Sequence, residues 1–201
     1  GATAADQYEG AYDLDGKSLS ASDILPLSGN GRKWALDHPL EAAKKNYGFY
    51  PAREGIDGYH HWEEDLELFH EMGFNVYRMS VSWPRVFPEA GMEKANEAGL
   101  KYYDKVINKA RELGMDIIMT IDHFDTPFWA TDEFNGWTDR RMIDEYLKLA
   151  RTLFTRYKNQ VKYWITFNEI NALLNYPLFA GGIDISKCSN PFQARYQAAH
   201  N

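Results

Sequence analysis

The same succession of polar and apolar positions occurs three times along the chain. Each time, an amphipathic stretch with apolar residues three or four positions apart predicts a helix, and a short apolar run after it predicts a strand. The strands are predicted at 75–83, 116–121 and 161–167. Their first residues lie about 40 to 46 positions apart, the usual length of a β/α unit with an elaborated loop.

A predicted helix with recognisable ends precedes each strand. Asp57, Asn96 and Asp139 stand where N-caps are expected, and Gly73 and Gly114 stand where helices commonly stop. The faces predicted to be buried are Trp62, Leu66, Phe69 and Met72 or Gly73 in the first helix, Leu100, Tyr103, Val106, Ala110 and Leu113 in the second, and Ile143, Leu147, Ala150, Phe154 and Tyr157 in the third.

The strands predict an α/β fold with a parallel sheet, because apolar strands without alternation are typical of parallel neighbours covered on both faces. A doubly wound sheet would satisfy this pattern too, but no Gly-rich phosphate loop follows any of the strands. Polar residues follow all three strands instead. This favours a TIM (β/α)8 barrel whose active site gathers at one rim.

Residues 1–201 would form roughly the first half of such a barrel, which normally takes about 250 residues. Because 1–15 contains no complete strand, the chain is predicted to run from the end of strand 1 to the start of helix 4, as one domain portion without an internal boundary. The second half of the barrel, or another chain, is then needed for a complete site. Residues 17–56 form a long irregular stretch that we expect to cover one rim.

Charge and cysteine content narrow the range of partners. The chain has 22 basic and 29 acidic residues and no pronounced basic run, which argues against nucleic acid and anionic membranes. The single cysteine, Cys188, excludes an internal disulfide framework and fits a reducing cytoplasm. No apolar run approaches the roughly 20 residues of a membrane span, and no signal peptide is recognisable. We expect a cytoplasmic protein without metal or other cofactor.

The stretch 163–171 carries the clearest chemical signal. Its first half is apolar, aromatic and β-branched, and it ends in Asn168 and Glu169. A buried strand that delivers polar groups at its end is how an α/β barrel builds an active site. The alternative is that Glu169 only caps the next helix.

Residues 166–169, Thr-Phe-Asn-Glu, resemble the acid/base motif of glycoside hydrolase family one, the retaining β-glycosidases on TIM barrels. The resemblance extends along the chain in the family's order: 1–11, 59–65, 71–74, 78–88, 123–127 and 136–137 are similar to further family motifs.

The resemblance implies that Glu169 is the acid/base of a retaining hydrolase. Its pKa would then have to be raised by an apolar setting, which Trp164, Phe167 and Ile170 could supply. Asn168 is similar to the amide that holds the sugar 2-hydroxyl, and its structural alternative is a turn or cap amide.

Four further positions acquire expected roles from the resemblance. Gln7 and His123 resemble residues that grip hydroxyls of the non-reducing sugar, although His123 could also be a satisfied core histidine. Arg78 would hold the nucleophilic carboxylate ionised, unless it forms a structural ion pair. Trp137 resembles a rim aromatic near the active site, with plain packing as its alternative.

The second carboxylate of the family is not recognisable. The family's nucleophile is a glutamate near the seventh strand, beyond Asn201, and Asp122 and Asp125 have no such role in the family. The stretches 168–171 and 123–125 look more like the bacterial 6-phospho-β-glucosidase branch, because plain β-glucosidases usually carry Pro where this chain has Ile170 and Trp where it has Phe124. The phosphate-binding loop of that branch would also lie beyond the chain. The expected substrates are a phosphorylated disaccharide or an aryl β-glucoside.

Three other hypotheses remain. The chain could belong to a plain β-glucosidase, or it could be a truncated or split barrel without activity of its own. A metal-dependent amidohydrolase could use His123, His60 and His61, but it would want a His-x-His pair at the end of the first strand, where this chain has Gln7.

Overall fold

A parallel sheet forms the centre of the fold. The computed structural model describes residues 1–27 and 29–201, and within them β1 (Val76–Ser80), β2 (Asp116–Asp122) and β3 (Tyr163–Phe167) make one sheet in the order β1-β2-β3. Both strand pairs are parallel, with Val76 opposite Asp116 and Asp122 opposite Phe167. This agrees with the predicted β/α repeats.

The helices in chain order are α1 (Ala5–Tyr8), α2 (Gly29–Asp37), α3 (Pro39–Ala42), α4 (Pro51–Glu54), α5 (Gly58–Glu71), α6 (Trp83–Val86), α7 (Glu97–Glu112), α8 (Phe128–Phe134), α9 (Arg141–Tyr157), α10 (Pro177–Gly181) and α11 (Pro191–His200). Short 3-10 turns occur at Gly136–Thr138, Ile170–Leu174 and Ile185–Lys187. The helices α5, α7 and α9 precede β1, β2 and β3 respectively, as the repeats predict.

The first residues of the chain continue the sheet beside β1. The backbone N–H of Thr3 donates to the carbonyl of Arg78 (2.9 Å), and the N–H of Arg78 donates to the carbonyl of Gly1 (2.8 Å). Ala2 and Arg78 form a parallel bridge. The segment therefore lies where the end of a preceding barrel strand is expected.

The main core lies between the sheet and the helices. Ile117, Met119 and Ile121 of β2 are fully buried in one cluster with the inner faces of α7 and α9. The predicted face of α7 is confirmed, since Leu100, Tyr103, Val106 and Ala110 are buried. Its predicted N-cap is confirmed as well, because the Asn96 side chain accepts a hydrogen bond from the N–H of Ala98.

The predicted face of α9 is only partly right. Ala150 and Tyr157 are buried, but Leu147 and Phe154 are 38% and 42% exposed, and the buried face is completed by Met142, Leu149 and Leu153 instead. Apolar residues cover so wide a sector of this helix that its sequence admits two stripes. Contact with the sheet selects one of them.

Two predicted strands are longer than the observed ones. The predicted strand 75–83 ends at Ser80, because Pro84 lies in the first turn of α6, where its fixed φ suits a helix. The predicted strand 161–167 starts at Tyr163. The predicted cap Asp139 lies two residues before α9, and its carboxylate accepts from the N–H of Arg141 (2.9 Å).

The prediction of an irregular stretch at 17–56 is wrong in part, because α2, α3 and α4 lie within it. Ile24, Leu25, Ala35 and Ala42 form a second small core with Leu178, and their spacing along the chain has no clear period. The stretch does lie over the end of β2, since residues 19 to 21 exchange backbone hydrogen bonds with residues 126 to 128. Ser28 lies outside the described residues.

β3 has no further strand beside it within the described residues. Large apolar side chains are exposed near this edge: Tyr163, Ile170, Leu174 and Tyr176 are each about half exposed. None of the described helices is long and apolar enough to cross a membrane.

Candidate active site

The candidate site lies where the three strands end. His123 follows β2, Asn168 follows β3, and Arg78 lies on β1. The N–H of Asn168 donates to the carbonyl of Asp122 (3.0 Å), which continues the pairing of β2 and β3 as far as the site. Parallel strands therefore bring these residues to one edge of the sheet.

One arginine links all three strands. Nη2 of Arg78 donates to Oδ1 of Asn168 (2.7 Å), and Nε donates to Oγ1 of Thr120 (3.3 Å). Arg78 is half-buried and has no ion pair with any residue in 1–27 or 29–201. Its structural alternative, an ion pair with another strand-end acid, is therefore not observed in the described chain.

Glu169 follows with a strained backbone and an exposed side chain. Its φ is +44°, in the left-handed region that costs a residue other than glycine about 1 kcal/mol. Its carbonyl accepts from the N–H of Ala172 (2.7 Å), but its side chain makes no capping hydrogen bond. The capping alternative is therefore not observed.

The apolar setting expected for Glu169 is not present in the described chain. Trp164 packs edge-on against Phe154 of α9, with the ring centroids 4.6 Å apart, and Ile170 is 54% exposed. Phe167 stacks on Tyr146 (4.7 Å). Because β3 is the edge strand here, no described element covers the Glu169 side chain.

The imidazole of His123 is half-buried, and its surroundings disfavour protonation. Its Nδ1 is buried and has no hydrogen-bond partner among the described residues. Burial, together with the positive charge of Arg78, lowers the pKa of His123 to about 4. The imidazole is therefore neutral near pH 7, with one nitrogen that can donate and one that can accept a hydrogen bond.

Gln7 lies on the single turn of α1, and its side chain is exposed. A hydroxyl bridges α1 to the loop after β2, because Oγ of Ser22 donates to the carbonyl of Phe124 (3.1 Å) and lies 3.5 Å from Oδ2 of Asp6. This contact brings Gln7 to the rim that carries His123.

Trp137 lies behind the rim. It is only 6% exposed and packs against Tyr146 and Phe167, at 5.6 Å and 5.3 Å between ring centroids. Together with Asp122 and Asn168 it lines a pocket of about 220 Å³. Its buried Nε1 lies near the carboxyl of Asp122 and favours the ionised form of that carboxyl, so the indole combines packing with a polar contact.

The two aspartates beside His123 are buried. Burial, reinforced by Asp125, raises the pKa of Asp122 to about 7. Burial also raises the pKa of Asp125, although Lys17 acts against the rise. Burial removes both carboxyls from a substrate, and a carboxyl with a pKa of about 7, as in Asp122, is a poor nucleophile at neutral pH.

A buried ion pair escaped the sequence analysis. Nε of Arg85 donates to Oε2 of Glu9 (2.9 Å), and both side chains are at least 95% buried. The two charges stand within the motifs at 1–11 and 78–88, but the sequence does not distinguish them there from Asp6 and Arg78. Only the fold shows that the two residues meet.

No group of His, Cys, Asp or Glu side chains suited to hold a metal ion occurs among the described residues. His60 and His61, considered as ligands, lie exposed in the first turn of α5, where both contact Asp57. His123, which follows β2, forms no potential metal-binding group with them among the described residues.

Proteins of known activity resemble this chain over its whole length. The family model "Glycosyl hydrolase family 1" matches residues 1–201. A 6-phospho-beta-glucosidase of Clostridium longisporum is 43% identical and an aryl-phospho-beta-D-glucosidase of Bacillus subtilis is 40% identical, both over 100% of this chain. The chain spans 41% of the length of each of these relatives.

Solved structures agree with the sequence comparison. A GH1 beta-glucosidase from Exiguobacterium antarcticum superposes with a TM-score of 0.79 at 29% identity, over 99% of this chain and 40% of that one. A family 1 β-glucosidase from Thermotoga maritima gives 0.72 at 31% identity, over 86% and 35%. The sheet described above is accordingly the N-terminal portion of a TIM barrel, and the chain belongs to glycosyl hydrolase family 1.

Proposed function

We propose that this chain is the acid/base half of a retaining 6-phospho-β-glucosidase, and that residues 1–201 belong to a single barrel domain whose remainder supplies the nucleophile. The family match and the names of the relatives support the reaction class. Retaining hydrolysis needs two carboxyl groups about 5–5.5 Å apart, one as acid/base and one as nucleophile.

The observation that carries the proposal is the hydrogen bond between Arg78 and Asn168. It fixes the Asn168 amide with Oδ1 occupied, so that Nδ2 remains to donate to a sugar hydroxyl. Arg78 forms no ion pair with a carboxylate in the described chain, so its guanidinium is available to stabilise the ionised nucleophile.

Glu169 supplies the proton to the leaving oxygen in this proposal. It directly follows Asn168, and its strained backbone is the kind of outlier that clusters at active sites. The rest of the barrel would have to cover its exposed side chain, because an acid/base needs a partly dry setting to stay protonated near neutral pH.

Gln7 and His123 bind the hydroxyls of the non-reducing sugar. Both present groups without partners in the described chain, the exposed amide of Gln7 and the buried Nδ1 of His123. A neutral imidazole and an amide can each donate and accept, which suits neighbouring hydroxyl groups. Trp137 packs on Phe167, which directly precedes Asn168, and supports this part of the rim from behind.

The phosphorylated sugar is the finer part of the proposal. The two relatives matched by sequence are named for phospho-β-glucosides, and Phe124 and Ile170 resemble the same branch. A cytoplasmic location belongs with this substrate, because phosphorylated disaccharides arise during uptake.

The decisive experiment compares substrates on the longer protein that contains this chain. We expect kcat/KM for cellobiose 6-phosphate to exceed that for cellobiose at least about 100-fold, as expected when a charged group of the substrate is specifically bound. The first-formed sugar, followed by NMR, should keep the β configuration. A preference for plain cellobiose would instead support an ordinary β-glucosidase, and the absence of turnover would support an inactive barrel.

A further inference from the structure

The buried pair of Glu9 and Arg85 joins positions 76 residues apart in the chain. Oε1 of Glu9 accepts a second hydrogen bond from the hydroxyl of Tyr103 (2.8 Å). The same hydroxyl accepts from the N–H of Ser82 (2.7 Å). The carboxylate of Glu9 is therefore tied both to the segment after β1 and to α7.

Arg85 directs its other donors at the backbone that follows α1. Nη2 donates to the carbonyls of Gly10 and Ala11, at 3.2 Å each, and Nη1 donates to that of Leu14 (3.4 Å). Ala11 has a φ of +47°, a strained conformation that such contacts hold in place. One guanidinium thus fixes a whole turn of backbone.

Stability alone does not account for this arrangement. Moving two charges out of water is expensive, and apolar side chains of similar volume often serve equally well or better. Burial raises the pKa of Glu9, while Arg85 and Tyr103 favour its ionised form. The benefit of the pair therefore lies in the geometry that it imposes.

That geometry concerns the element that carries Gln7. A helix of one turn has no stability of its own, so contacts with the rest of the protein decide where α1 lies. Before Gln7, the N–H of Ala5 donates to Oγ of Ser80 (2.8 Å). After Gln7, the Glu9–Arg85 pair provides the corresponding anchor.

We propose that Glu9 and Arg85 are positioning residues for Gln7, which act by holding the backbone after α1 so that the Gln7 amide reaches the sugar in a fixed place. The reference to sugar rests on the proposed function, whereas the anchoring of α1 does not. The two parts are therefore tested by different measurements.

The first measurement is hydrogen exchange in the longer protein, comparing Glu9→Met/Arg85→Met with the control Asp104→Met/Arg156→Met. The control removes the ion pairs that Arg156 of α9 forms with Asp104 and Glu97 of α7, far from α1 in the chain. We expect the amides of Gln7, Tyr8 and Glu9, which donate to Ala4 and Ala5, to exchange at least about 10-fold faster than in the control. In the Glu9→Met/Arg85→Met variant, the exchange rates of the α7 amides should differ from those of the unmodified protein by less than about 2-fold.

Unchanged exchange at those three amides, or an equal acceleration throughout α7, would overturn the positioning role. Should the paired variant not fold, Arg85→Lys replaces it. Lysine keeps the charge beside Glu9 but cannot reproduce the fork of donors to Gly10 and Ala11, so the same amides should still lose protection.

The second measurement is a cycle of kcat/KM with Gln7→Ala. We expect Gln7→Ala alone to lower kcat/KM about 10-fold or more, and to lower it less than about 2-fold further in the Glu9→Met/Arg85→Met background. If Gln7→Ala lowers kcat/KM by the same factor in both backgrounds, the two sites act independently and the proposal is overturned. If the unmodified protein hydrolyses no β-glucoside, the proposed function fails, and hydrogen exchange alone decides the positioning role.

Discussion

Asp122 and His123 are neighbours in the chain, yet burial shifts their pKa values in opposite directions. Burial disfavours the charged form of each, so the pKa of the carboxyl rises to about 7 and that of the imidazole falls to about 4. Both side chains are therefore neutral around pH 5 to 6, and each contributes its own pH dependence to stability.

For Asp122→Asn we expect a gain in stability that grows as the pH rises from 4 to 7. Over this range unfolded Asp122 ionises while the folded form stays protonated, so the carboxyl favours unfolding increasingly as pH rises. The variant removes this effect, so its gain in stability should be larger at pH 7.5 than at pH 4.5 by an amount on the order of 3 kcal/mol. Urea unfolding at both pH values measures it.

His123→Gln is the matched control of opposite sign. Between pH 6.5 and 4 the unfolded histidine binds a proton that the folded one does not, so wild-type stability falls as the pH is lowered. The variant should weaken this fall. If the free energy of unfolding had the same pH dependence in both variants, the opposite pKa shifts of Asp122 and His123 would be contradicted.

Glu169→Gln tests the acid role in the longer protein. An amide cannot protonate the leaving oxygen, so hydrolysis of substrates with poor leaving groups should fall by about 100-fold or more, in line with general acid catalysis. Aryl glucosides with good leaving groups should suffer much less at the bond-breaking step. Equal losses for both substrate types, measured as kcat/KM, would argue against the acid role.

Among the elements, α7 and α5 share the same place in their β/α units but differ in their N-caps. Asn96 accepts from the N–H of Ala98 (3.2 Å), and its Nδ2 donates to the carbonyls of Asp15 and Arg85. Asp57 stands at the cap position of α5, has a left-handed backbone and makes no capping hydrogen bond with its side chain.

Asn96→Ala should therefore destabilise the protein more than Asp57→Ala. We expect a loss of about 1–2 kcal/mol for Asn96→Ala, the usual value for removing a working cap, and clearly less for Asp57→Ala. The midpoints of thermal unfolding compare the two variants directly. An equal or larger loss for Asp57→Ala would contradict the assignment of the stronger cap to Asn96.

At the scale of the whole molecule, the described chain presents an incomplete rim. Glu169 is exposed, Arg78 has no carboxylate partner among the described residues, and β3 is an edge strand. Exposed apolar side chains beside an unpaired strand promote association with another chain or another segment.

We expect the 201-residue chain alone to show no normal turnover of β-glucosides. The proposed mechanism needs a second carboxylate, and the carboxylates beside His123 are buried. Activity of the purified chain, with its mass measured under denaturing and native conditions, tests this. Turnover by a 23.2 kDa monomer at a rate typical of the family would refute the division of the catalytic pair.

Local pattern determined much of this protein without any structure. Helical periodicity and apolar runs located α5, α7 and α9 and the three strands, because helix and strand each impose their own repeat on neighbouring residues. The polar residues at the strand ends were likewise visible, since a parallel sheet places all such ends at one edge.

Tertiary structure decided what depends on distant partners. Contact with the sheet selected the buried stripe of α9, and a second small core organised α2 and α3. The meeting of Glu9 with Arg85, and the burial that shifts the pKa of Asp122, arise between segments remote in the chain. Periodicity reports only on neighbours, whereas burial and charge pairing are set by the whole fold.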